Sequence, residues 1–243
     1  MRWLEAPGPP ILWVHGVPDS ADLWVPFLER AGGFAVDLPG FGGSGKPAHW
    51  PYSLEGYERF LTWFVDHLGL DRVQVVAHDW GAVALTLGPR IERLVAIDVL
   101  PFLPGHRWPR IARAWRAPLL GEMTMGFTGR LTLSRLGGLS DAHAREVLRH
   151  FDHGTQRAIL KLFRSTSVDE LAARAPVLGS IAAPALVLWG EDDPFLPPVW
   201  AGRMVTALGG EAVAETIPGA GHWPWMGRQE VIERVLAFLT SGK

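Results

Sequence analysis

The segment Val75-Val76-Ala77-His78-Asp79-Trp80-Gly81-Ala82 runs from an apolar stretch into a turn with a small residue two positions to either side of a carboxylate. Ala77 and Gly81 let a strand and a following helix approach closely, which turns the side chain between them outward in a small-x-nucleophile-x-small layout. A carboxylate with an ordinary pKa of about 3.9 is already ionised at neutral pH and attacks without a base to remove its proton. It is a modest nucleophile, suited to displacement at a saturated carbon that carries a leaving group or ring strain. The plain alternative is a strand-to-helix turn in which Asp79 caps the helix.

Three further segments shift the balance toward chemistry. His15-Gly16-Val17-Pro18 follows the apolar run Ile11–Val14. Trp189-Gly190-Glu191-Asp192-Asp193-Pro194 offers carboxylates that can orient a histidine and stabilise its cation. Gly219-Ala220-Gly221-His222-Trp223 places a histidine in a Gly-rich loop. Each has a plain reading of its own: a Gly-Pro turn with a buried histidine, an Asp-Pro turn, an exposed loop histidine. Taken together, Asp79, the Asp192/Asp193 pair and His222 fall in the chain order nucleophile, acid, histidine.

Short apolar runs must position these groups. Strands are expected at Ile11–Val14, Phe34–Asp37, Val73–Ala77, Leu94–Asp98, Ala185–Trp189 and Ala212–Ile217. Helices are expected near Leu54–His67, Ala82–Leu87, Pro198–Leu208 and Gln229–Leu239. The alternation describes an α/β fold with a mostly parallel sheet covered by helices on both faces. Residues 101–178 break it with helical patterns alone, such as Pro109–Trp115, Asp141–Phe151 and Gln156–Arg164. A helical insertion between two strands reads as a cap over the carboxyl ends of the sheet, where open α/β sheets bind ligands. The expected division is a core of residues 1–100 and 179–243 and a cap of residues 101–178.

The 243 residues suffice for one substantial core, and 48% hydrophobic against 20% charged lies in the globular range. The net charge of −2 argues against nucleic acid or an anionic membrane as partner, since both call for a concentrated basic surface. With no cysteine, disulfides, thiolate metal sites and a cysteine nucleophile are excluded. The first residues lack a secretory layout and no apolar run approaches the roughly 20 residues of a membrane span, so a cytoplasmic protein is expected.

The segments His15–Pro18, Asp37–Ser44, His78–Ala82, Gly190–Asp193 and Gly221–His222 resemble the α/β-hydrolase superfamily, and His78–Ala82 resembles its epoxide hydrolase and haloalkane dehalogenase branches. The resemblance implies Asp79 as nucleophile, His222 as the base that activates water, and Asp193, at the superfamily's G-x-x-D spacing, as its acid. Asp98 is the reserve acid, because some relatives draw it from the strand after the nucleophile turn. The backbone N–H groups of Val17 and Trp80 are the implied oxyanion hole. The implied partners are a small apolar organic substrate and water, with no cofactor. Only ten residues precede the first expected strand, so the superfamily's leading hairpin looks truncated.

The two branches differ in what receives the leaving group. Epoxide hydrolases place two cap tyrosines over the epoxide oxygen, whereas here the only tyrosines are Tyr52 and Tyr57, both before Asp79. Phe163-Arg164 stands where that family often has a tyrosine and an arginine. The candidate acids are therefore His106, His143, His150, His153 or Tyr52. Dehalogenases hold halide between the indole of the residue matched by Trp80 and a second donor, for which Trp108 or Trp115 would serve. The expectation leans narrowly to epoxide opening, with dehalogenation as the alternative and a non-catalytic binder on the same fold as the second. No metal site is expected, since His150 and His153, on one helix face, lack a third ligand. Gly40–Gly45 lacks the ending of a phosphate-binding loop and reads as a tight loop near the site.

Overall fold

The computed structural model describes residues 1–241. Its centre is a seven-stranded sheet of β1 (Trp3–Ala6), β2 (Ile11–Val14), β3 (Gly33–Val36), β4 (Val73–His78), β5 (Ile91–Ile97), β6 (Ala185–Gly190) and β7 (Ala212–Ile217). The spatial order is β1-β3-β2-β4-β5-β6-β7, and every neighbouring pair is parallel except β1 with β3. This is the α/β-hydrolase fold.

The central strands β2 and β6 are buried at every position, so they read as continuous apolar runs instead of alternating ones. Successive side chains nonetheless serve opposite layers. Leu12, Val14, Val75, Ala77, Val187 and Trp189 join the core on one face, and Ile11, Trp13, Val76, Leu186 and Leu188 join the core on the other. Each buried valine, leucine or isoleucine among them contributes about 1.5–3 kcal/mol when removed from water, which fixes the register of the strands that carry the site.

Helix Leu54–His67 starts where Ser53 accepts the N–H of Gly56, and it buries Leu54, Tyr57, Leu61, Phe64 and Val65. Seven helices, Arg110–Arg116, Leu120–Gly126, Arg130–Gly137, Asp141–His150, His153–Ser165, Val168–Ala172 and Ala175–Gly179, lie between β5 and β6. Their junction with the sheet layer is apolar where Ile159, Leu162 and Phe163 join its core, and polar at its margin. Lys46 bonds the His150 carbonyl and Asp152, Arg157 bonds the Lys46 carbonyl, and Ser165 bonds the Tyr52 carbonyl.

Several expectations are corrected. A strand precedes Ile11: β1 is a partly exposed edge strand, too short and too little alternating to stand out in sequence. The turn after β4 is a run of 3-10 helix, Asp79–Arg90, broken by Gly88 at φ 53°, instead of a regular helix over Ala82–Leu87. His150 and His153 share no helix face, because one ends a helix and the other begins the next.

Backbones approach closely at the turn after β4. A Cβ on Gly81 would stand 2.3 Å from the Val14 carbonyl oxygen, on β2. Gly81→Ala is therefore expected to cost about 1–3 kcal/mol, read as a lower urea midpoint, and an unchanged midpoint would contradict the contact.

Candidate active site

The carboxyl ends of five adjacent parallel strands deliver the polar groups. β2 leads to His15–Val17, β4 to Asp79, β5 to Asp98, β6 to Asp193 and β7 to His222. Asp79 has a φ of 50°, a left-handed conformation that costs a non-glycine residue about 1–3 kcal/mol. Its surroundings enforce that conformation. The Leu100 N–H donates to the Asp79 carbonyl at 3.0 Å, and a Cβ on Gly16 would fall 2.4 Å from Asp79 Cβ.

The Asp79 carboxylate is buried, and its Oδ2 accepts the Val17 N–H at 2.9 Å. The Trp80 N–H acts on the same carboxylate. Of the two backbone donors expected from sequence, the Val17 N–H reaches the carboxylate directly, and that of Trp80 adds an electrostatic pull on it. His222 Nδ1–H donates to Asp193 Oδ2 at 2.7 Å, and Asp193 Oδ1 accepts the N–H groups of Phe195 and Leu196 at 2.7 and 3.0 Å. With Nδ1 so engaged, Nε2 faces Asp79 Oδ1 at 3.8 Å, beside the carboxylate but beyond direct hydrogen bonding. Asp192, the other carboxylate of that loop, is exposed.

Charge follows from burial and pairing. Burial raises the Asp79 carboxyl to about 6, against the pull of His222 and of the Val17 and Trp80 N–H groups. Burial alone would lower His222, but the charge and hydrogen bond of Asp193, then the charge of Asp79, carry it up to about 9. Asp193 is lowered despite its burial, chiefly by His222. Asp98 is fully buried, and its Oδ1 accepts the Gly190 N–H at 2.9 Å. Burial above all, with the nearby Asp193 adding to it, pushes Asp98 well above the carboxylate range, so it serves as a neutral acid behind Asp193.

Positioning groups flank His222 that no sequence signal marked as such. His78 Nε2–H donates to the His222 carbonyl at 2.8 Å, and burial, with the His222 charge adding to it, lowers His78 to about 3, so it stays neutral. Trp223 Nε1–H donates to Asp19 Oδ2 at 2.9 Å, and Asp19 Oδ1 meets His143 Nε2 at 2.6 Å. Asp19 thus joins the loop after β7, through Trp223, to the helix Asp141–His150, through His143. His15, one turn earlier, is an anchor: its Nε2 accepts the Leu38 N–H at 3.1 Å and its Nδ1 bonds the Gly16 carbonyl. The loop after β3 is pinned in the same way by Asp37, which accepts the N–H groups of Ala21 and Gly43 and pairs with Arg2.

An aromatic wall adjoins Asp79. The Trp80 ring lies 6.0 Å from Trp108, nearly parallel, and 5.0 Å from Phe163; Trp115 also packs on Phe163 at 5.0 Å. The indole N–H groups of Trp108 and Trp115 are buried without an acceptor. Trp24 and Trp225 share that condition in the core of the opposite face, so proximity to Trp80 and Phe163 is what sets Trp108 and Trp115 apart.

Of the candidate acids, only His106 touches this wall, at 5.0 Å from Trp108, and burial lowers it to about 4. His143 is bound to Asp19, His150 lies 3.7 Å from Asp22, and His153 bonds Gln156. Tyr52 does not reach into the site with its hydroxyl, which donates to the Pro47 carbonyl, as that of Tyr57 does to Pro39. A cavity of about 210 Å³ lies on the far side of Asp19, between Asp22 and Glu146, and Asp79 is not among its lining residues.

Residues 11–234 match the alpha/beta hydrolase family. Haloalkane dehalogenase 2 of Mycobacterium bovis is 25% identical over 239 residues, covering 90% of this chain and 83% of that protein. Epoxide hydrolase 3 of Xenopus tropicalis is 26% identical over 263 residues, covering 94% and 70%. Among solved structures, one of the epoxide hydrolases from metagenomes of hot environments superposes with a TM-score of 0.78 over 98% of this chain and 94% of its own, at 22% identity.

Because Asp79 sits above its ordinary value, its ionisation opposes folding. The penalty is absent below the ordinary 3.8, grows as pH rises toward about 6, and is constant above that. Asp79→Asn is therefore expected to raise the urea midpoint at pH 7.5 and to leave it unchanged below pH 4. Equal midpoints at pH 7.5 would contradict the desolvated carboxylate.

Proposed function

The chain belongs to the alpha/beta hydrolase family and is a hydrolytic enzyme, and from that premise we propose that Asp79 displaces a leaving group from a saturated carbon of a small apolar substrate. The observation that carries this reading is a buried carboxylate between two backbone N–H donors and the Nε2 of an acid-paired histidine. Oδ2 is tied to the Val17 N–H, so Oδ1 forms the new bond to carbon as the carbon–leaving-group bond breaks. The product is an ester of Asp79.

Esterification removes the charge of Asp79, one of the contributions that keep the proton on His222. The imidazole then yields its proton more readily and becomes available as a base. A water attacks Cγ and gives its proton to Nε2. The developing oxyanion on Oδ2 stays with the Val17 N–H, which already bonds it, and is stabilised further by the Trp80 N–H. The Cγ–Oδ1 bond breaks, Nε2–H of His222 returns the proton to Oδ1, and the product leaves as an alcohol carrying Oδ1. The helical residues 101–178 act as the cap domain, closing this step from bulk water, and residues 1–100 and 179–243 are the core that holds the reacting groups.

The leaving group is the point on which the polar inventory bears. An epoxide oxygen departs as a strongly basic alkoxide and calls for a proton, whereas a halide departs as a stable anion and calls only for N–H dipoles. Both phenols are engaged with backbone carbonyls, and a neutral imidazole such as His106 is a poor acid at neutral pH. Buried N–H groups without partners, such as those of Trp108 beside Trp80 and of Trp115 beside Phe163, are donors an anion can accept from. Haloalkane dehalogenation is thus the reading the geometry supports best, against the narrow lean of the sequence. Epoxide opening stands second, supported by the unpaired Nε2 of His106 against the same wall.

Parallel assays separate the two. Bromo- and chloroalkanes should release halide, and Trp108→Phe should lower kcat/KM at least about tenfold, the scale of one lost charge-assisted hydrogen bond. Diol formation from aryl or aliphatic epoxides without halide release would overturn the halide reading and move the test to His106→Phe.

A further inference from the structure

Among the described residues, nine large apolar side chains are substantially exposed, and five of them, Leu119, Leu120, Met123, Phe127 and Leu131, fall within one short stretch. Leu119, Met123 and Phe127 recur every fourth residue, which lines them along one side of the helix Leu120–Gly126 and its caps, and Leu131 follows at the start of the next helix, Arg130–Gly137. Leu119 and Phe127 are 79% and 78% exposed, while the same helix turns Gly121 and Met125 inward. Its outward side therefore carries more apolar surface than its inward side. A contiguous apolar patch of this kind marks an interaction surface.

The charge around it has one sign. Between Val99 and Ser140 the chain has six arginines and a single acid, Glu122, against a net charge of −2 for the whole. Glu122 is engaged by Arg164, and Arg130 by Asp141. Arg107, Arg110 and Arg113 are exposed and enter no ion pair among the described residues, and Arg110 and Arg113 lie on the helix that packs directly against Leu120–Gly126. The objection to an anionic surface drawn from net charge averages over the chain, whereas the arginines are concentrated beside exposed apolar groups.

We propose that this face docks on an anionic lipid bilayer, with Leu119, Met123 and Phe127 entering the headgroup boundary and Arg107, Arg110 and Arg113 facing lipid phosphates. Apolar anchors plus a local basic field are the two contributions that hold a protein on such a surface without a spanning helix. No helix among the described residues is long and apolar enough to cross a membrane. A second copy of the chain fits the patch less well: a twofold contact turns the same surface on itself and brings arginines against arginines. The helix that carries Arg110 and Arg113 also carries Trp115, which packs on Phe163 and through it on Trp80. Docking here would bring the aromatic wall toward the phase into which apolar molecules partition.

Flotation with unilamellar vesicles tests the proposal, using phosphatidylcholine alone and phosphatidylcholine mixed with phosphatidylglycerol. The protein is expected to float with the mixed vesicles at low salt and to be released by high salt, since the basic contribution is screened. Arg110→Glu with Arg113→Glu should weaken binding at least about tenfold, and Leu119→Ser with Phe127→Ser should abolish it. All four positions are exposed, so both double variants should keep the wild-type Tm and rate on a dissolved substrate. Absence of flotation at low salt, equal binding to both vesicle types, or full binding by the serine variant overturns the proposal. So does a concentration-dependent dimer that the serine variant disperses while vesicles remain unbound.

Discussion

Everything at the catalytic end of the sheet depends on how closely two strands' ends approach each other at the turn after β4. Asp79 is held in a left-handed conformation because the chain on one side has no Cβ at Gly16 and the chain on the other has none at Gly81. That packing does two things at once. It brings the Val17 N–H within 2.9 Å of the carboxylate, and it turns the carboxylate toward the loop after β7. A longer side chain at either glycine would separate β2 from β4 and with them the donor from its acceptor.

The same packing sets the electrostatics. A carboxylate withdrawn from water is held at about 6, and an imidazole equally withdrawn is held at about 9 by Asp193 and Asp79 together. Neither group would be charged at that depth alone; each is stabilised by the other and by backbone donors. The arrangement is strained in the sense that ionised Asp79 opposes folding, and the proposed ester of Asp79 would relieve it. Asp98 adds a neutral acid behind Asp193, so the loop after β6 is held from β5 as well as from its own N–H groups. The clamp of His78 on the His222 carbonyl and of Asp19 on Trp223 and His143 fixes the remaining degree of freedom, the position of the imidazole ring.

How much of this was legible in sequence divides along physical lines. Strands buried on nearly every side leave unbroken apolar runs, so β2, β4 and β6 were readable nearly to the residue, and the groups at their carboxyl ends were readable with them; β7, a partly exposed edge strand, was readable from the run Ala212–Ile217 closed by the Pro218-Gly219 turn. β1 was not, because an edge strand carries half-buried, mixed residues and its partner, β3, is distant in the chain. The turn after β4 looked helical, since 3-10 and α-helical segments share the same small apolar residues and only Gly88 marks the break. Contacts such as Asp19 with His143, 124 positions apart, have no local signature at all. The exposed arginines and leucines between β5 and β6 were each visible, but their joint meaning depends on which side of a helix faces inward.

Single turnover in heavy-oxygen water, with enzyme in excess over a bromoalkane and an epoxide in separate reactions, tests the central claim most directly. If Asp79 forms an ester that is cleaved at Cγ, peptide mass analysis will find one heavy oxygen in the peptide containing Asp79, and the released alcohol or diol will carry none. His222→Gln should then hold the alkylated Asp79 peptide intact. Heavy oxygen in the product with Asp79 unlabelled would mean that water attacks the substrate directly, and the nucleophilic role of Asp79 would fall.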